Sequence, residues 1–401
     1  MLPNDNALFE LNCNYSFRPF GRECLQKKQI ILLTLHPNSP GGVDTRVQAM
    51  SKYLSALHNV IIVRLKPPKK QFIIRLNRIL EALYACLHLI RLLRDADVVI
   101  SLGSIPNLLG ASIARKSIVC ITGSSFFSYE SSLIARIYWT FILEPIYALM
   151  STAIVPASPA SLQPLLGGIM SVQGKVSEIY GFIDTQKIDS ILSPGANSEI
   201  LDVSGYFVFV GSLSHQKGIQ ELIKIYASLL YLNIPLVICG DGPLFDDCFV
   251  QCQRLSIEVL TRLSDISRRQ CKSCIVFLGS VSNPIEIITN SKLLLCPYYW
   301  EGLSNTMLEG LYLNKPIIAS TNPASLFLLS QLEKYDIAYG HNNWKLSLLD
   351  HPTSLKQRNQ WCEKIKDYAF IDPICSSRAF IYDNFSAEKN ILKWNSLILS
   401  C

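Results

Sequence analysis

Short, wholly apolar runs separated by helix-length amphipathic stretches constrain this chain more than any other feature of its sequence. Gln29 to Leu35, with Ile30-Ile31-Leu32-Leu33 at its centre, reads as a strand; Val60 to Val63, Val98 to Ser101 and Ile118 to Thr122 repeat the pattern with helical periodicity between them. A strand that is apolar at every position needs cover on both faces, and a parallel sheet flanked by helices supplies it. The alternation stops after Gly181-Phe-Ile-Asp184, at the polar stretch Ser193-Pro-Gly-Ala-Asn-Ser198. It restarts with Tyr206 to Val210, a helix over Ile219 to Leu230, and strands at Leu236 to Cys239, Ile275 to Leu278, Leu293 to Cys296 and Pro316 to Ala319. A restart predicts two doubly wound α/β halves rather than one sheet. The ligands of such sheets sit beyond the carboxyl ends of the strands.

A length of 401 residues accommodates two such domains, and 49% hydrophobic against 17% charged residues fills their cores. The expected division is an N-terminal tail over 1–26, which lacks periodicity, and a Rossmann-like domain over 27–190. A second Rossmann-like domain over 204–375 and a closing amphipathic helix within 376–401 follow. The formal charge, 37 − 31 = +6, is too mild for a nucleic-acid partner. It is concentrated at Arg64, Lys66, Lys69, Lys70, Arg75, Arg78, Arg91 and Arg94, opposed in that span only by Glu81. With the apolar positions Ile79, Leu80, Leu83, Leu87 and Ile90, the span fits a solvated helix face or a surface that meets anionic lipid headgroups. Leu133 to Val155 is long enough to cross a bilayer, but Arg136, Glu144 and Pro145 interrupt it, so a core helix or a monotopic contact is expected. The N-terminus has no export layout, and a cytoplasmic protein resting at the inner face of the membrane is the expectation. The 13 cysteines include Cys271/Cys274 and Cys248/Cys252, but no Cys/His set completes a zinc pattern, so reduced buried thiols and no metal site are expected.

The chemistry-bearing segments lie in the second half. Glu301 and Glu309 flank Gly302-Leu303-Ser304-Asn305, which reads as a loop turning into a helix that Ser304 or Asn305 can cap. The amides of a helix start favour a phosphate, and a carboxylate on either side can take sugar hydroxyls; a nucleotide sugar has that layout. Upstream stand Val210-Gly211-Ser212-Leu213-Ser214-His215-Gln216-Lys217-Gly218, the turn Gly240-Asp241-Gly242-Pro243, and the strand end Phe277-Leu278-Gly279. Each is weak alone, but their order and spacing over about 203–325 closely resemble the donor-binding half of the family-four glycosyltransferases. The first half resembles that family more loosely, through the Gly41-Gly42 loop and the Gly181–Asp184 segment.

The resemblance implies a GT-B fold, two Rossmann-like domains facing a central cleft, and a retaining, metal-independent enzyme. No cofactor is implied beyond a nucleoside-diphosphate sugar as donor substrate, with a glycan or lipid-linked acceptor and an anionic membrane surface as partners. Lys217 would pair with the donor diphosphate beside Gly211 and Ser212. Glu309 would take the ribose hydroxyls, Glu301 the transferred sugar, and the backbone at Gly302, Leu303, Ser304 and Asn305 phosphate or sugar oxygens. Gly41 and Gly42 would let the first-half loop approach the sugar.

Two positions depart from the family pattern. Ser212 stands where many relatives carry an arginine, and Cys120-Ile-Thr-Gly123-Ser124-Ser125 lacks the histidine that relatives often place there. His36 and His215 offer the nearest replacements, and both read as surface histidines. These departures keep a non-catalytic sugar-nucleotide-binding subunit as an alternative, and a GT-B epimerase is a further one. A nicotinamide-dependent oxidoreductase lacks its GxGxxG after a strand.

Overall fold

The computed structural model describes residues 9–13, 27–35, 42–65, 76–122, 133–162, 170–193, 204–269, 273–339, 346–369 and 377–401. Two compact units emerge, one of Met1–Gly181 with Ala387–Cys401, the other of Phe182–Ser386.

Among the described residues of the first unit six strands form one sheet: β1 (Phe9–Cys13), β2 (Gln29–Leu35), β3 (Asn59–Leu65), β4 (Val98–Leu102), β5 (Ser117–Ile121) and β6 (Ala153–Pro156), in the order β1-β3-β2-β4-β5-β6. β2 to β6 run parallel, and Ile30, Ile31, Leu32 and Leu33 are all fully buried, so both faces of the central strand are covered. β1 joins the edge antiparallel, with Phe9 opposite Leu65. Residues 1–26 are therefore not simply a tail. Phe9-Glu10-Leu11-Asn12-Cys13 alternates apolar and polar residues, the pattern of an edge strand, but over five residues in an otherwise aperiodic segment.

The run Leu133 to Val155 resolves into a helix over Leu133–Tyr138, a π turn over Trp139–Leu143, a helix over Glu144–Met150 and then β6. Tyr147 and Ala148 are buried, whereas Ile134, Phe141, Ile142, Ile146, Leu149 and Met150 are exposed. No helix of the described residues is long and apolar enough to cross a membrane. Of the basic span, Arg64 is only 7% exposed and bonds Asp44 at 2.9 Å, so it belongs to no surface patch. Arg91 and Arg94 are exposed; Lys66, Lys69, Lys70 and Arg75 lie outside the described residues.

The described residues of the second unit hold seven parallel strands: β7 (Tyr206–Val210), β8 (Leu236–Cys239), β9 (Glu258–Leu260), β10 (Cys274–Gly279), β11 (Ser291–Cys296), β12 (Ile317–Ser320) and β13 (Leu346–Leu349). Their order is β13-β12-β11-β7-β8-β10-β9. From β7 the chain winds outward through β8 to β9 and β10, then returns to lay β11 on the other side of β7. The winding direction reverses between β7 and β11, and that is the place where an open α/β sheet binds its ligand.

Two expected boundaries move. Thr185–Leu192 is a helix of the second unit, not the end of the first. Asp184 caps it by accepting from the Lys187 amide at 2.9 Å, and the Tyr312 hydroxyl donates to Asp189 at 2.9 Å. The expected closing segment 376–401 divides at Ser386. Arg378–Phe385 stays with the second unit, where the Ser377 hydroxyl donates to Leu311 O at 2.6 Å. Ala387–Ser400 belongs to the first unit, held by Tyr53 Oη on Glu388 at 2.8 Å, His58 Nε2 on Asn395 at 2.8 Å and Lys28 Nζ on Ile398 O at 2.7 Å.

Candidate functional site

Two loops meet at the reversal point of the second sheet. The first leaves β7 at Gly211, whose amide donates to Cys239 O at 3.0 Å. It passes Ser212, closes a 3₁₀ turn over His215–Lys217 and enters the helix Ile219–Ala227 through Gly218. The second leaves β11 at Cys296 and runs through Pro297 to Ser304, where the helix Asn305–Tyr312 begins. Ser304 is the cap: its hydroxyl accepts from the Met307 amide at 3.3 Å.

Backbone and side chain lace the loops together. Tyr299 N donates to Gln216 O at 2.9 Å, and Gln216 Nε2 donates to Trp300 O at 3.1 Å. Gly218 has φ +64°, and a Cβ there would come within 2.1 Å of Pro297 O, so only glycine lets the loops approach this closely. Lys217 and Glu301, which are 84 residues apart, form an ion pair in which the lysine is 16% exposed and the glutamate 19%. The lysine ammonium also sits 4.0 Å from the centroid of the Tyr298 ring. The stem of Lys217 runs beside Gly211.

Glu309 lies one turn into the helix Asn305–Tyr312, half-buried. Burial pushes its carboxyl up to about 7, while Lys187 on the helix Thr185–Leu192 pulls in the opposite direction. The helix Asn305–Tyr312 packs close to the sheet because residue 310 is glycine: a Cβ there would come within 2.6 Å of Leu294.

Of the sequence-expected positions, Gly211, Ser212, Lys217, Glu301, Gly302, Leu303, Ser304, Asn305 and Glu309 all lie on these two loops and the helix that follows. The Ser212 and Ser214 hydroxyls share a hydrogen bond at 3.2 Å. Gly42 opens the helix Gly42–Leu54 of the first unit, and Gly41 lies outside the described residues. Tyr298, Gln216 and Lys187 were not expected. Tyr298 looked like one aromatic among three in Tyr298-Tyr299-Trp300, and the Lys187–Glu309 juxtaposition depends on a helix in residues expected to end the first domain.

The thiols of Cys239, Cys248 and Cys296 are buried and raised to about 12, which keeps them protonated. The one Asp-x-Asp triplet, Asp95-Ala96-Asp97, is occupied within the first unit: Asp97 accepts from Gln29 N at 2.6 Å, and Asp95 pairs with Arg91 at 3.8 Å.

The segment that carries these loops is similar in sequence to a known family. Residues 197–326 match the glycosyl transferases of group 1. An uncharacterized glycosyltransferase of Methanocaldococcus jannaschii is 25% identical over 180 residues, 42% of this chain and 41% of that protein. A Campylobacter jejuni alpha-1,4-N-acetyl-D-galactosaminyltransferase, whose name specifies a diNAcBac-PP-undecaprenol-linked substrate, is 26% identical over 161 residues, 38% of this chain and 40% of that protein. The matches thus span about two-fifths of the length of these curated relatives. Anabaena HepE, solved in complex with UDP and glucose, superposes with a TM-score of 0.62 at 14% identity over 93% of this chain and all of that one. The fold is that of the GT-B glycosyltransferases.

Proposed function

We propose that the chain is a retaining, metal-independent glycosyltransferase. It moves a sugar from a nucleoside-diphosphate sugar to a hydroxyl acceptor in polysaccharide or glycolipid biosynthesis. The observation that carries this reading is the meeting of Lys217 and Glu301 at the reversal point of the second sheet, one loop away from the helix start at Ser304 and from Glu309.

Lys217 and the amides of the Gly302–Asn305 segment take the diphosphate, and their fixed positive charge stabilises the leaving group as its charge develops. Such preorganised stabilisation is usually the largest catalytic contribution. Glu301 pairs with Lys217 and competes for it with an anionic ligand. An arriving diphosphate takes over the lysine and leaves the Glu301 carboxylate for sugar hydroxyls. Glu309 accepts from the ribose hydroxyls when ionised. Lys217 and the helix start do the work that a divalent cation would do for a free diphosphate. The UDP bound to HepE supports a nucleotide donor, and the lipid-linked substrate of the Campylobacter relative supports a lipid-linked acceptor. Exposed apolar residues of the π turn and the helix after it, Phe141, Ile146 and Leu149, are the surface we assign to contact with an anionic membrane.

A panel of nucleotide sugars, assayed with a chelator present for release of the nucleoside diphosphate and for the anomer formed, tests the reading. Lys217→Ala and Glu309→Ala are each expected to lower turnover by about 100-fold or more. Absence of turnover with every donor would favour the non-catalytic subunit. Conversion of the donor without acceptor would favour the epimerase, and an inverted product would end the retaining assignment. Co-sedimentation with anionic vesicles that falls after Phe141→Ser/Ile146→Ser tests the membrane partner; unchanged sedimentation would remove it.

A further inference from the structure

Lys217 has a second neighbour in the site, and it is not an acid. Tyr298 follows Pro297 directly as the chain leaves β11, and its side chain is 1% exposed. Its hydroxyl donates to Val210 O, the last carbonyl of β7, at 2.8 Å. Its ring meets Phe209 edge-on, with centroids 6.1 Å apart and planes at 84°. Held at the hydroxyl and along the ring edge, Tyr298 has one orientation, and in it the Lys217 ammonium lies 4.0 Å from the ring centroid.

The two neighbours of Lys217 behave differently when an anion arrives. The Glu301 carboxylate repels a diphosphate and competes with it for the ammonium. The ring attracts the ammonium through its quadrupole, carries no net charge, and uses none of the lysine's hydrogen-bond donors. Releasing Glu301 would otherwise free a flexible four-carbon side chain, at an entropic cost to anion binding. Ser212 brings no second cation to this strand end, so the placement of one ammonium decides the electrostatics of the loop.

We infer that Tyr298 is a positioning residue: its ring face holds the Lys217 ammonium in place for the donor diphosphate after Glu301 lets go. The inference rests on the donor-site reading above. It assigns Tyr298 no contact with the substrate.

A double-mutant cycle read by calorimetric titration tests it, with uridine diphosphate and guanosine diphosphate as the probes. Tyr298→Phe keeps the ring and is expected to stay within about threefold of the unsubstituted protein. Tyr298→Leu removes the π face and is expected to weaken binding about tenfold, the span of a partly desolvated cation–π contact. In a Lys217→Ala background the same Tyr298→Leu change is expected to cost less than about twofold, because the ring then has nothing to hold. Equal losses in the two backgrounds would show that Tyr298 only packs, and would overturn the inference. So would a folded Tyr298→Leu protein that binds as the original does. If Tyr298→Leu does not fold, pentafluorophenylalanine at position 298 replaces it. It keeps the ring shape and inverts the quadrupole, so it must bind the probe more weakly than Tyr298→Phe, and equal affinity overturns the inference. Failure of the unsubstituted protein to bind either probe defeats the donor-site reading itself, a result distinct from all of these.

Discussion

At the scale of single residues, Glu309 is a carboxyl whose burial works against its ionisation. Its pKa is raised to about 7 from an ordinary 4.5, so the folded chain holds that proton more tightly than the unfolded one. The stability that follows is present below about pH 4.5 and is lost as pH rises through about 7. Glu309→Gln cannot ionise, so it should melt above the parent at pH 8, by about 3–6 °C, and together with it at pH 5. Equal melting at pH 8 would contradict the burial argument. Donor affinity should fall below about pH 7 in the parent and lose that dependence in the variant. Gly218 is a second residue with a sharp expectation. Alanine there must adopt φ +64° and displace Pro297 O, so Gly218→Ala should cost about 3 kcal/mol in a denaturant titration and separate the two loops. Both carboxylates and the lysine were legible in the sequence because short, charged motifs follow strands directly. Tyr298 was not, because its role is a ring orientation set by Val210 and Phe209, nearly 90 residues away in sequence.

At the scale of elements, apolar runs located the inner strands well. β2, β4, β7 and β11 pack on both faces, and their short continuous runs of Ile, Leu, Val and Phe, spaced by helix-length segments, mark them as inner strands. The missed strands are the weakly marked ones. β1 and β9 lie at sheet edges and are five and three residues long, β13 is a four-residue edge, and β6 sat inside an apolar run that began as a helix. The helix Thr185–Leu192 was hidden by its shortness and by the polar stretch after it, although Asp184 stood ready as its cap. The last helix, Ala387–Ser400, buries Ile391, Trp394 and Ile398 in the first unit. Trp394→Ala should therefore destabilise that unit by about 3–5 kcal/mol and leave nucleotide binding by the second unchanged. A calorimetric trace in which the nucleotide-stabilised transition moves instead would refute that allocation.

At the scale of the whole molecule, two α/β units were legible because the strand–helix alternation stops and restarts. The boundaries were not, since an amphipathic helix advertises an apolar face without saying which core receives it. A nucleotide sugar at 100 times its dissociation constant should raise the stability of the second unit by about 2.7 kcal/mol, seen as a shift of one thermal transition. A shift confined to the first unit would place the donor site elsewhere. The return of the chain at Ser386 has a consequence for synthesis. All of Phe182–Ser386 leaves the ribosome before the helix Ala387–Ser400 exists, so the first unit waits through the completion of the second with the seat for Trp394 open. The order of emergence from the ribosome is therefore not the order of completion. A stall or truncation in the last fifteen residues strikes the part of the protein that was made first.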